Sequence, residues 1–570
     1  MPSSPRRHLL PILAGVVLLL VGGWFAFSLV TTARQAHRLQ AQLDQTKASI
    51  SALDATRAAA DLEALAATAQ ALRQSTARPA WRVAEFLPFL SATARATTAA
   101  AQAADGLATA ALPLVTAVGS QQTTVGKVMA ALDAPDQLAG LRAAADQASG
   151  ELEQVPAGGI ADPLGKLLGV SDSIAQAKET LPSLVSALDS ASTAGDALRS
   201  MLGVKKPTTW MVMAQNPAEL RGSGGLFSAY LRVRFTNGNM EIVEAGSRKK
   251  LDGEFPRASQ IPYWTAVSPE TAATWGPSLG EWASFNLAPD FPTVARLAAA
   301  GMAQRGTPVD GVIAIDPTTI AAILAGTGPV EHKGVRIDSA SAQQFFTRDL
   351  YEEFPGFDDV AAKDELAMGL TYATIDAALK RPLDGSALWE AMSQAVQDGH
   401  LKVWSKNEAD QAWLESLPLA SAFAQHPQDV IVGFVNGTGG KLDPYITREV
   451  TIDDSSCPAD GTVSATIRMH NQVPEGLPPY VDVTLDQDGV PDPSVPSGFS
   501  RTYVTAYAPG TTLQDASFLK EASKDGKPIT PVYGGTSGRP DWMVPVELKR
   551  GESTELHLLF KVTKCPSSAS

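Results

Sequence analysis

The sequence has few of the residues that many enzyme classes require. Only two cysteines and seven histidines occur among 570 residues, and aromatic residues make up 6%. No two histidines stand at the spacing of zinc ligands, and none has a sequence context that would orient it in a serine triad, so both kinds of hydrolase are disfavoured. The chain also lacks a block of lysine and arginine, and its net charge of −14 argues against nucleic acid as a partner.

One long hydrophobic run is present, at the N-terminus. Leu9–Val30 is apolar over 22 residues apart from a proline, glycines and a serine, which is enough to cross a bilayer as a helix. A cleaved signal peptide is the alternative, but the Ala-x-Ala cleavage pattern is missing and Trp24 suits an interfacial anchor. Arg6 and Arg7 precede the run and place the N-terminus in the cytoplasm. We therefore predict a cytoplasmic tip and transmembrane anchor in residues 1–30, with the bulk of this single-pass cell-membrane protein extracytoplasmic.

The two cysteines, Cys457 and Cys565, agree with export. An even number of cysteines in an exported region predicts one disulfide, and two unpaired thiols are the alternative. The bond would close a loop of about 100 residues, which the chain-entropy model values at roughly 4–5 kcal/mol.

Residues 31–205 form an alanine-rich block with the pattern of a helical stalk or bundle. Apolar residues recur at spacings of three and four, as in a coiled-coil seam with small residues that permit close packing. Pro79 and Pro88 interrupt the pattern, and further helices are predicted over about 91–118, 121–150 and 172–202. The seam residues are Leu39, Leu43, Thr46, Ile50 and Leu53, then Leu62, Leu65, Ala69 and Leu72.

The remaining residues divide into two predicted domains. Residues 206–425 mix strands with helices, which indicates an α/β domain with a mixed sheet. Asn237-Gly238 is a strong hairpin signal, and Asp316 followed by Pro317 is typical of a helix start. Residues 426–570 contain short strand-like runs separated by turns and no convincing helix, which predicts a β-sandwich. The fold class is therefore multidomain.

The segment Asn216–Gly225 is the most informative motif. It reads Asn-Pro-Ala-Glu-Leu-Arg-Gly-Ser-Gly-Gly and lies between two apolar runs, which predicts a strand, a polar turn and a strand. A glycine-rich backbone beside a cation can bring several N–H groups close to an anion. The candidate residues are Glu219, Arg221, Gly224 and Gly225. A long hairpin loop with a surface ion pair is the alternative interpretation.

A second charged segment follows the predicted hairpin. Arg248, Lys249, Lys250 and Asp252 would reach the same end of the sheet as the first motif if the strands are adjacent. Arginine binds phosphate oxygens with a planar fork, lysine supplies a point charge, and an aspartate can hold Mg²⁺ against a pyrophosphate. We predict an anion or pyrophosphate site from these residues, with Asp252 as the metal ligand if Mg²⁺ is a cofactor. A solvated charge run is the alternative.

At these motifs the chain resembles the bacterial domain-of-unknown-function family 4012 (DUF4012). This family has an N-terminal membrane anchor and a helical stretch before the domain, and it is associated with exopolysaccharide and cell-envelope loci. The resemblance implies no established activity. The matching pieces, within residues 210 to about 450, are Asn216–Gly225, Asp310-Gly-Val-Ile-Ala-Ile-Asp-Pro317, Gly326-Thr-Gly-Pro-Val330 and Gly439-Gly-Lys-Leu-Asp443.

The order of segments is also similar, more weakly, to LytR-CpsA-Psr phosphotransferases. That resemblance implies transfer of glycopolymers from polyprenyl-pyrophosphate carriers to the cell wall. Arg221 and Arg248 correspond to arginines on the pyrophosphate, and Asp252 to the acidic residue. The chain departs from the Arg-x-Asp and Arg-Asp pairs of those enzymes.

Two functions are therefore expected. The first is an extracytoplasmic envelope protein that binds or transfers polyprenyl-linked glycopolymers, with lipid-linked glycan or peptidoglycan as partner. The second is a non-catalytic envelope scaffold or adhesion-type protein. The sequence leaves open the substrate, the oligomeric state and whether the chain is an enzyme.

Overall fold

The computed structural model describes residues 31–566 with several gaps, and the chain divides into two compact units. The first unit ends at Leu198 and the second begins at Arg199, close to the boundary predicted after residue 205. The predicted membrane anchor, residues 1–30, lies outside the described residues. The gaps are residues 33, 36, 47, 50–54, 87–90, 120–129, 131–133, 156–169, 253–260, 421, 486–489 and 510–517.

The described part of the first unit is built from helices. Leu62 and Leu65 of one helix are buried against Ala101 and Ala108 of another, because alanine lets the two backbones approach closely. Arg73 and Asp105 form an ion pair of 2.6 Å across the same helices. Besides the helical residues within 31–49, the helices are α1 (Ala55–Thr76), α2 (Pro79–Ala84), α3 (Ser91–Gly119), α4 (Pro135–Glu153) and α5 (Val170–Met201), the last of which continues into the second unit.

The predicted seam is confirmed at six of its seven described positions. Leu39, Thr46, Leu62, Leu65, Ala69 and Leu72 are all buried. Two further positions of the seam lie in gaps of the described chain, and one other is exposed.

Pro79 interrupts the helical pattern as predicted, because α1 ends at Thr76. Pro79 is the first residue of α2, a position where its missing N–H costs no hydrogen bond.

One helix in the described part of the chain, Ser91–Val118, is long and apolar enough to cross a membrane. It lies near the N-terminus but is not the predicted anchor. Its buried residues Ala94, Ala101 and Ala108 pack against neighbouring helices. On the same helix, the buried Asp105 forms the ion pair with Arg73. These contacts are those of a packed helix in a bundle.

The second unit contains a five-stranded sheet in the order β3-β2-β1-β4-β7. The central pair β1 and β4 is parallel, and the other neighbours are antiparallel. Asn237 and Gly238 both have positive φ, 50° and 77°, so the predicted hairpin turn between β2 and β3 is confirmed. The strands are β1 (Thr208–Arg221), β2 (Gly224–Thr236), β3 (Asn239–Ser247), β4 (Gly311–Ile315) and β7 (Lys402–Ser405).

Both faces of this sheet are covered. Met211 and Met213 point into one core with Trp282, whereas Trp210 and Val212 point into the other. This alternation follows from the two-residue period of a strand, and a sheet buried on both faces is typical of α/β layering.

Short and long helices surround the sheet. They are α6 (Arg248–Asp252), α7 (Tyr263–Ala266), α8 (Pro269–Trp275), α9 (Phe291–Gln304), α10 (Pro317–Thr327), α11 (Ala342–Gln344), α12 (Leu350–Glu353), α13 (Val360–Lys380), α14 (Gly385–Gln397), α15 (Glu408–Glu415) and α16 (Ala422–Gln425). A small hairpin, β5 (Val330–His332) with β6 (Val335–Ile337), follows α10, and a π-helical turn, Phe345–Asp349, separates α11 from α12.

The C-terminal part holds two further sheets that share one core. Val463, Ala465 and Ile467 of the first sheet pack in the same cluster as Val544 and Val546 of the second. The first sheet has the order β13-β12-β16-β10-β9 and the second β14-β15-β11-β8. Their strands are β8 (Ile431–Asn436), β9 (Ile446–Asp453), β10 (Thr462–Asn471), β11 (Ser500–Tyr507), β12 (Phe518–Lys524), β13 (Lys527–Pro528), β14 (Val532–Thr536), β15 (Arg539–Leu548) and β16 (Ser553–Lys561).

The predicted disulfide is confirmed. Cys457 and Cys565 are bonded across 108 residues of sequence, with Cα atoms 5.7 Å apart. Cys457 begins a four-residue helix, α17 (Cys457–Asp460), in a region where no helix was predicted. The bond joins the segment before β10 to the segment after β16.

The structure corrects the prediction of a turn over residues 216–225. Strand β1 continues to Arg221, and β2 begins at Gly224, so only a two-residue turn separates them. Asn216 pairs with Leu226 and Leu220 with Gly225, which leaves residues 217–219 as a bulge. The bulge has a local cause, because proline at 217 has no N–H for the ladder and Asn216 Oδ1 accepts from the next N–H at 2.9 Å.

Candidate functional site

A cavity of about 100 Å³ lies at the carboxyl ends of the parallel strands β1 and β4. In open α/β sheets this edge is where ligands bind. Gln215 and Asn216 line the cavity from β1, and Ile315 and Asp316 line it from β4 and the residue that follows. Asp316 also caps α10, since its Oδ1 accepts from Thr319 N at 3.0 Å, as the sequence predicted.

The lining combines apolar side chains with four cations. The cations come from two helices and a loop, so distant parts of the second unit build one site. They are Arg248 and Lys249 of α6, Lys363 of α13, and Lys441 after β8. The apolar lining includes Leu226, Phe227, Ile320, Phe346, Leu350, Val360 and Met368.

Two tyrosines flank Lys363 inside the cavity. Its Nζ lies 5.4 Å from the ring centre of Tyr351 and 5.0 Å from that of Tyr480, and it forms an ion pair of 3.1 Å with Asp364. The Tyr351 hydroxyl accepts a hydrogen bond of 2.9 Å from Asn216 Nδ2. Burial first, and then the negative charges nearby, raise the pKa of Tyr351 well above its ordinary value, so this phenol stays protonated.

Glu219 and Arg221 form a buried charge network with Lys441. The Glu219 carboxylate accepts from Arg221 at 2.6 Å and from the Lys441 ammonium, and each side chain is less than a tenth exposed. Arg221 also donates to the carbonyl of Leu220 at 3.0 Å. Burial alone would raise the pKa of Glu219, but the charges and hydrogen bonds of Lys441 and Arg221 outweigh it and lower the pKa. Arg221 is therefore held by acceptors inside the protein.

A second carboxylate joins the same two sequence motifs. Asp443 accepts from the backbone N–H of Leu220 at 2.8 Å and from Asn436 Nδ2 at 2.7 Å, and it pairs with Arg448. The motif Asn216–Gly225 is thus bound at two points to Gly439–Asp443. Two of the segments that carry the family resemblance are parts of one buried structure.

The glycines of the first motif are explained by packing. A Cβ at Gly225 would lie 2.2 Å from the carbonyl carbon of Asn216 on the opposing strand. Gly224 has φ of +142°, which side chains rarely adopt. Neither glycine lines the cavity. The structure therefore gives both a role in closing the β1–β2 hairpin and brings neither to the candidate site.

The predicted second charged segment is divided by the structure. Arg248 and Lys249 line the cavity, whereas Lys250 points to Glu244 at 3.2 Å and lies outside it. Arg248 pairs with Asp252 at 2.6 Å. In the described part of the chain, His, Cys, Asp and Glu side chains do not form any group of three or more that could hold a metal ion. The binding of Mg²⁺ at Asp252 stays a prediction.

The structure thus brings together two of the eight predicted site residues, Arg248 and Lys249. It places Arg221 in the network behind the cavity wall. The sequence analysis missed Lys363, Tyr351 and Tyr480, and no local signal could have found them, because each belongs to an ordinary helix or loop pattern.

Two further features also went unrecognised. Asp316 Oδ2 lies 2.5 Å from His400 Nδ1, so one histidine does contact the edge of the site. The sequence Gly276-Pro-Ser-Leu-Gly280 fits the Gly-x-Ser-x-Gly pattern of serine hydrolases. It forms a 3₁₀ helix after α8 rather than the required strand-to-helix turn, so it is not a nucleophile elbow.

Comparisons with known proteins give a family match over one segment of the chain and no function. No curated protein and no solved structure matches the chain. The weaker resemblance to LytR-CpsA-Psr phosphotransferases stays a prediction. Residues 205–351, which include β1–β4 and most of the residues that line the cavity, match the family described as protein of unknown function (DUF4012). The resemblance predicted from the sequence motifs is confirmed over this segment.

Proposed function

We propose that this chain is a membrane-anchored, extracytoplasmic protein of the cell envelope that binds lipid-linked glycopolymers by their phosphate or pyrophosphate group. The observation that carries the proposal is the mixed lining of the cavity at the ends of β1 and β4. Four cations share that lining with aliphatic and aromatic side chains. An anionic group attached to an apolar chain is the ligand chemistry that matches such a lining.

The location outside the cytoplasm has two supports. The disulfide between Cys457 and Cys565 is typical of proteins in an oxidising compartment. The apolar run Leu9–Val30, with arginines before it, is the pattern of a signal anchor. Nucleotide triphosphates are not expected outside the cytoplasm, whereas lipid-linked and wall-linked phosphates are.

We propose binding rather than group transfer as the primary activity. The arginine that the sequence assigned to pyrophosphate, Arg221, is held by Glu219. Asp252, the proposed metal ligand, is held by Arg248. Transfer from a polyprenyl carrier would be a secondary activity of the same cavity.

A non-catalytic scaffold is the second candidate. One observation favours it: the motif Asn216–Gly225 makes internal contacts through Glu219 and Leu220 rather than exposing them to a ligand. On this alternative, the helical unit and the paired C-terminal sheets would hold other envelope proteins. The cavity would then be only a gap between packed elements.

Thermal unfolding of the full-length chain in detergent tests the proposal. A ligand at a hundred times its Kd stabilises a folded protein by about 2.7 kcal/mol, which is readily measured as a rise in Tm. We expect geranyl pyrophosphate or a geranyl phosphate ester to raise the Tm. Lys249→Ala should abolish the rise, and Lys250→Ala, a neighbouring exposed lysine outside the cavity, should preserve it.

The scaffold alternative makes the opposite prediction. If the chain is a scaffold, none of these lipids raises its Tm, and the Lys249→Ala variant keeps the protein's function in cells. Deletion of residues 31–205 would then abolish function through loss of the helical unit.

A further inference from the structure

The charge balance of the cavity limits the class of ligand that the cavity can bind. Three of its four lining cations each have a carboxylate partner within the protein. A paired cation attracts a ligand anion much less than an unpaired one, because the partner cancels most of its field. The three pairs are Arg248 with Asp252 at 2.6 Å, Lys363 with Asp364 at 3.1 Å, and Lys441 with Glu219, a carboxylate that Lys441 shares with Arg221.

Lys249 differs from the other three. It is exposed, and its ammonium has no hydrogen-bond or salt-bridge partner among the described residues. The remaining lining carboxylate, Asp316, caps α10 and contacts His400, and in the sum of charges its negative charge offsets Arg221, the second cation on Glu219. The cavity therefore offers one uncompensated positive charge.

The cavity also offers a neutral donor. The Tyr351 hydroxyl oxygen accepts from Asn216, and its own proton has no acceptor among the described residues. Lys363 keeps spare N–H donor capacity, because its ion pair with Asp364 uses one of three protons and its contact with the Tyr480 hydroxyl, at 3.4 Å, is long. Neutral and already paired donors stabilise an anion by hydrogen bonding without adding net charge.

We infer that this cavity selects a singly charged phosphodiester carried on an apolar chain, in preference to a pyrophosphate. The inference rests on the proposed function and names its ligand class. Lys249 supplies the balancing charge, and the Tyr351 hydroxyl donates to a phosphate oxygen. A pyrophosphate would bring at least one more negative charge into a partly buried site without a counter-charge, which is costly.

The size of the cavity also favours a single phosphate over a pyrophosphate. Its volume of about 100 Å³ lies below the roughly 300–1,000 Å³ of pockets that enclose a whole small molecule. Only one end of an extended ligand fits inside. A single phosphate with the first carbons of its chain against Phe346, Leu350 and Met368 uses the space that the lining provides.

Isothermal titration calorimetry on the full-length chain, at fixed detergent concentration, tests this selectivity. The probes are methyl geranyl phosphate, geranyl pyrophosphate and dihexanoyl phosphatidylglycerol. We expect the geranyl diester to bind about tenfold more tightly than the pyrophosphate, the order of effect that one unbalanced charge produces. The phosphatidylglycerol arm shows whether a membrane phospholipid is the source of the diester, because it has the same charge on a different chain.

Two substitutions separate charge balance from shape. Asp364→Asn releases the charge of Lys363 and should raise pyrophosphate affinity about tenfold while changing diester affinity less. Lys249→Ala should weaken diester binding about tenfold, Lys249→Arg should restore it, and Lys250→Ala should not change it.

Equal or tighter binding of pyrophosphate by the unmodified chain would overturn the inference and leave the proposed function standing. Binding of none of the three probes would overturn both. An unchanged selectivity in a folded Asp364→Asn variant, verified by circular dichroism, would also refute the charge argument.

Discussion

Replacing Lys441 with methionine tests whether the buried network holds the two family motifs together. The substitution keeps most of the side-chain volume and removes the ammonium that pairs with Glu219. Their side chains are 6% and 5% exposed, so the carboxylate cannot be rehydrated without opening the structure. Breaking a buried ion pair by removing one partner costs about 3–5 kcal/mol. Because Arg221 keeps its 2.6 Å contact with Glu219, we expect the lower end of that range, about 3 kcal/mol.

Urea unfolding of the full-length chain, followed by tryptophan fluorescence, measures this cost. Lys549→Met, at an exposed position, is the matched control and should change stability by less than about 0.5 kcal/mol. Adding Glu219→Gln to Lys441→Met removes the stranded charge, so the double variant should be less destabilised than the sum of the two singles by about 1–3 kcal/mol. Additive effects, or a Lys441→Met cost as small as the control, would refute the reasoning.

The same network predicts an acid-sensitive contribution to stability. The pKa of Glu219 is lowered in the folded chain. The stabilisation from its ionised form is therefore present above its ordinary value of 4.5 and is lost as the pH falls through the lowered folded value. The unmodified chain should lose this increment on acidification, and Glu219→Gln should not.

Three further perturbations follow from single features of the second unit. Burial raises the pKa of Asp541 to about 6 despite one hydrogen bond, so the stabilisation from its protonated form is present at pH 4 and is lost as the pH rises through about 6. Asp541→Asn should therefore stabilise the chain at pH 7 relative to pH 4 by up to about 3 kcal/mol. Equal effects of the substitution at both pH values would contradict this. Replacing Cys457 and Cys565 by serine should cost roughly 4–5 kcal/mol, and a Tm unchanged by the replacement would contradict it. Gly225→Ala should cost about 1–3 kcal/mol because its Cβ would meet the opposing strand, whereas Gly385→Ala, with no atom within 4 Å of the new Cβ, should not.

Features encoded by short stretches of sequence could be predicted. The turn at Asn237-Gly238 needs only two residues that tolerate positive φ, and both have it. Asp316 caps α10 because an aspartate before proline is suited to a helix start. The buried seam of α1 follows from helical periodicity alone. Each of these depends on neighbours within a few residues.

The candidate site could be predicted only in part, because its contacts join distant parts of the chain. Glu219 finds its second cation at Lys441, 222 residues away, and nothing in the local sequence indicates that pairing. Without it, Arg221 resembled a free phosphate ligand. Lys363 likewise lies in a helix whose pattern suggests only a solvated face. Arg248 and Lys249 could be predicted because they directly follow the last strand of the predicted hairpin, β3.

Photo-crosslinking tests the central claim most directly. A geranyl phosphodiester with a diazirine on its chain, irradiated with the full-length protein and mapped by mass spectrometry, reports where the apolar chain lies. We predict saturable labelling of peptides that contain Phe346, Leu350 or Met368, and loss of that labelling in Lys249→Ala. Labelling confined to the predicted anchor, Leu9–Val30, or labelling that does not saturate, would contradict a lipid-phosphate site in this cavity.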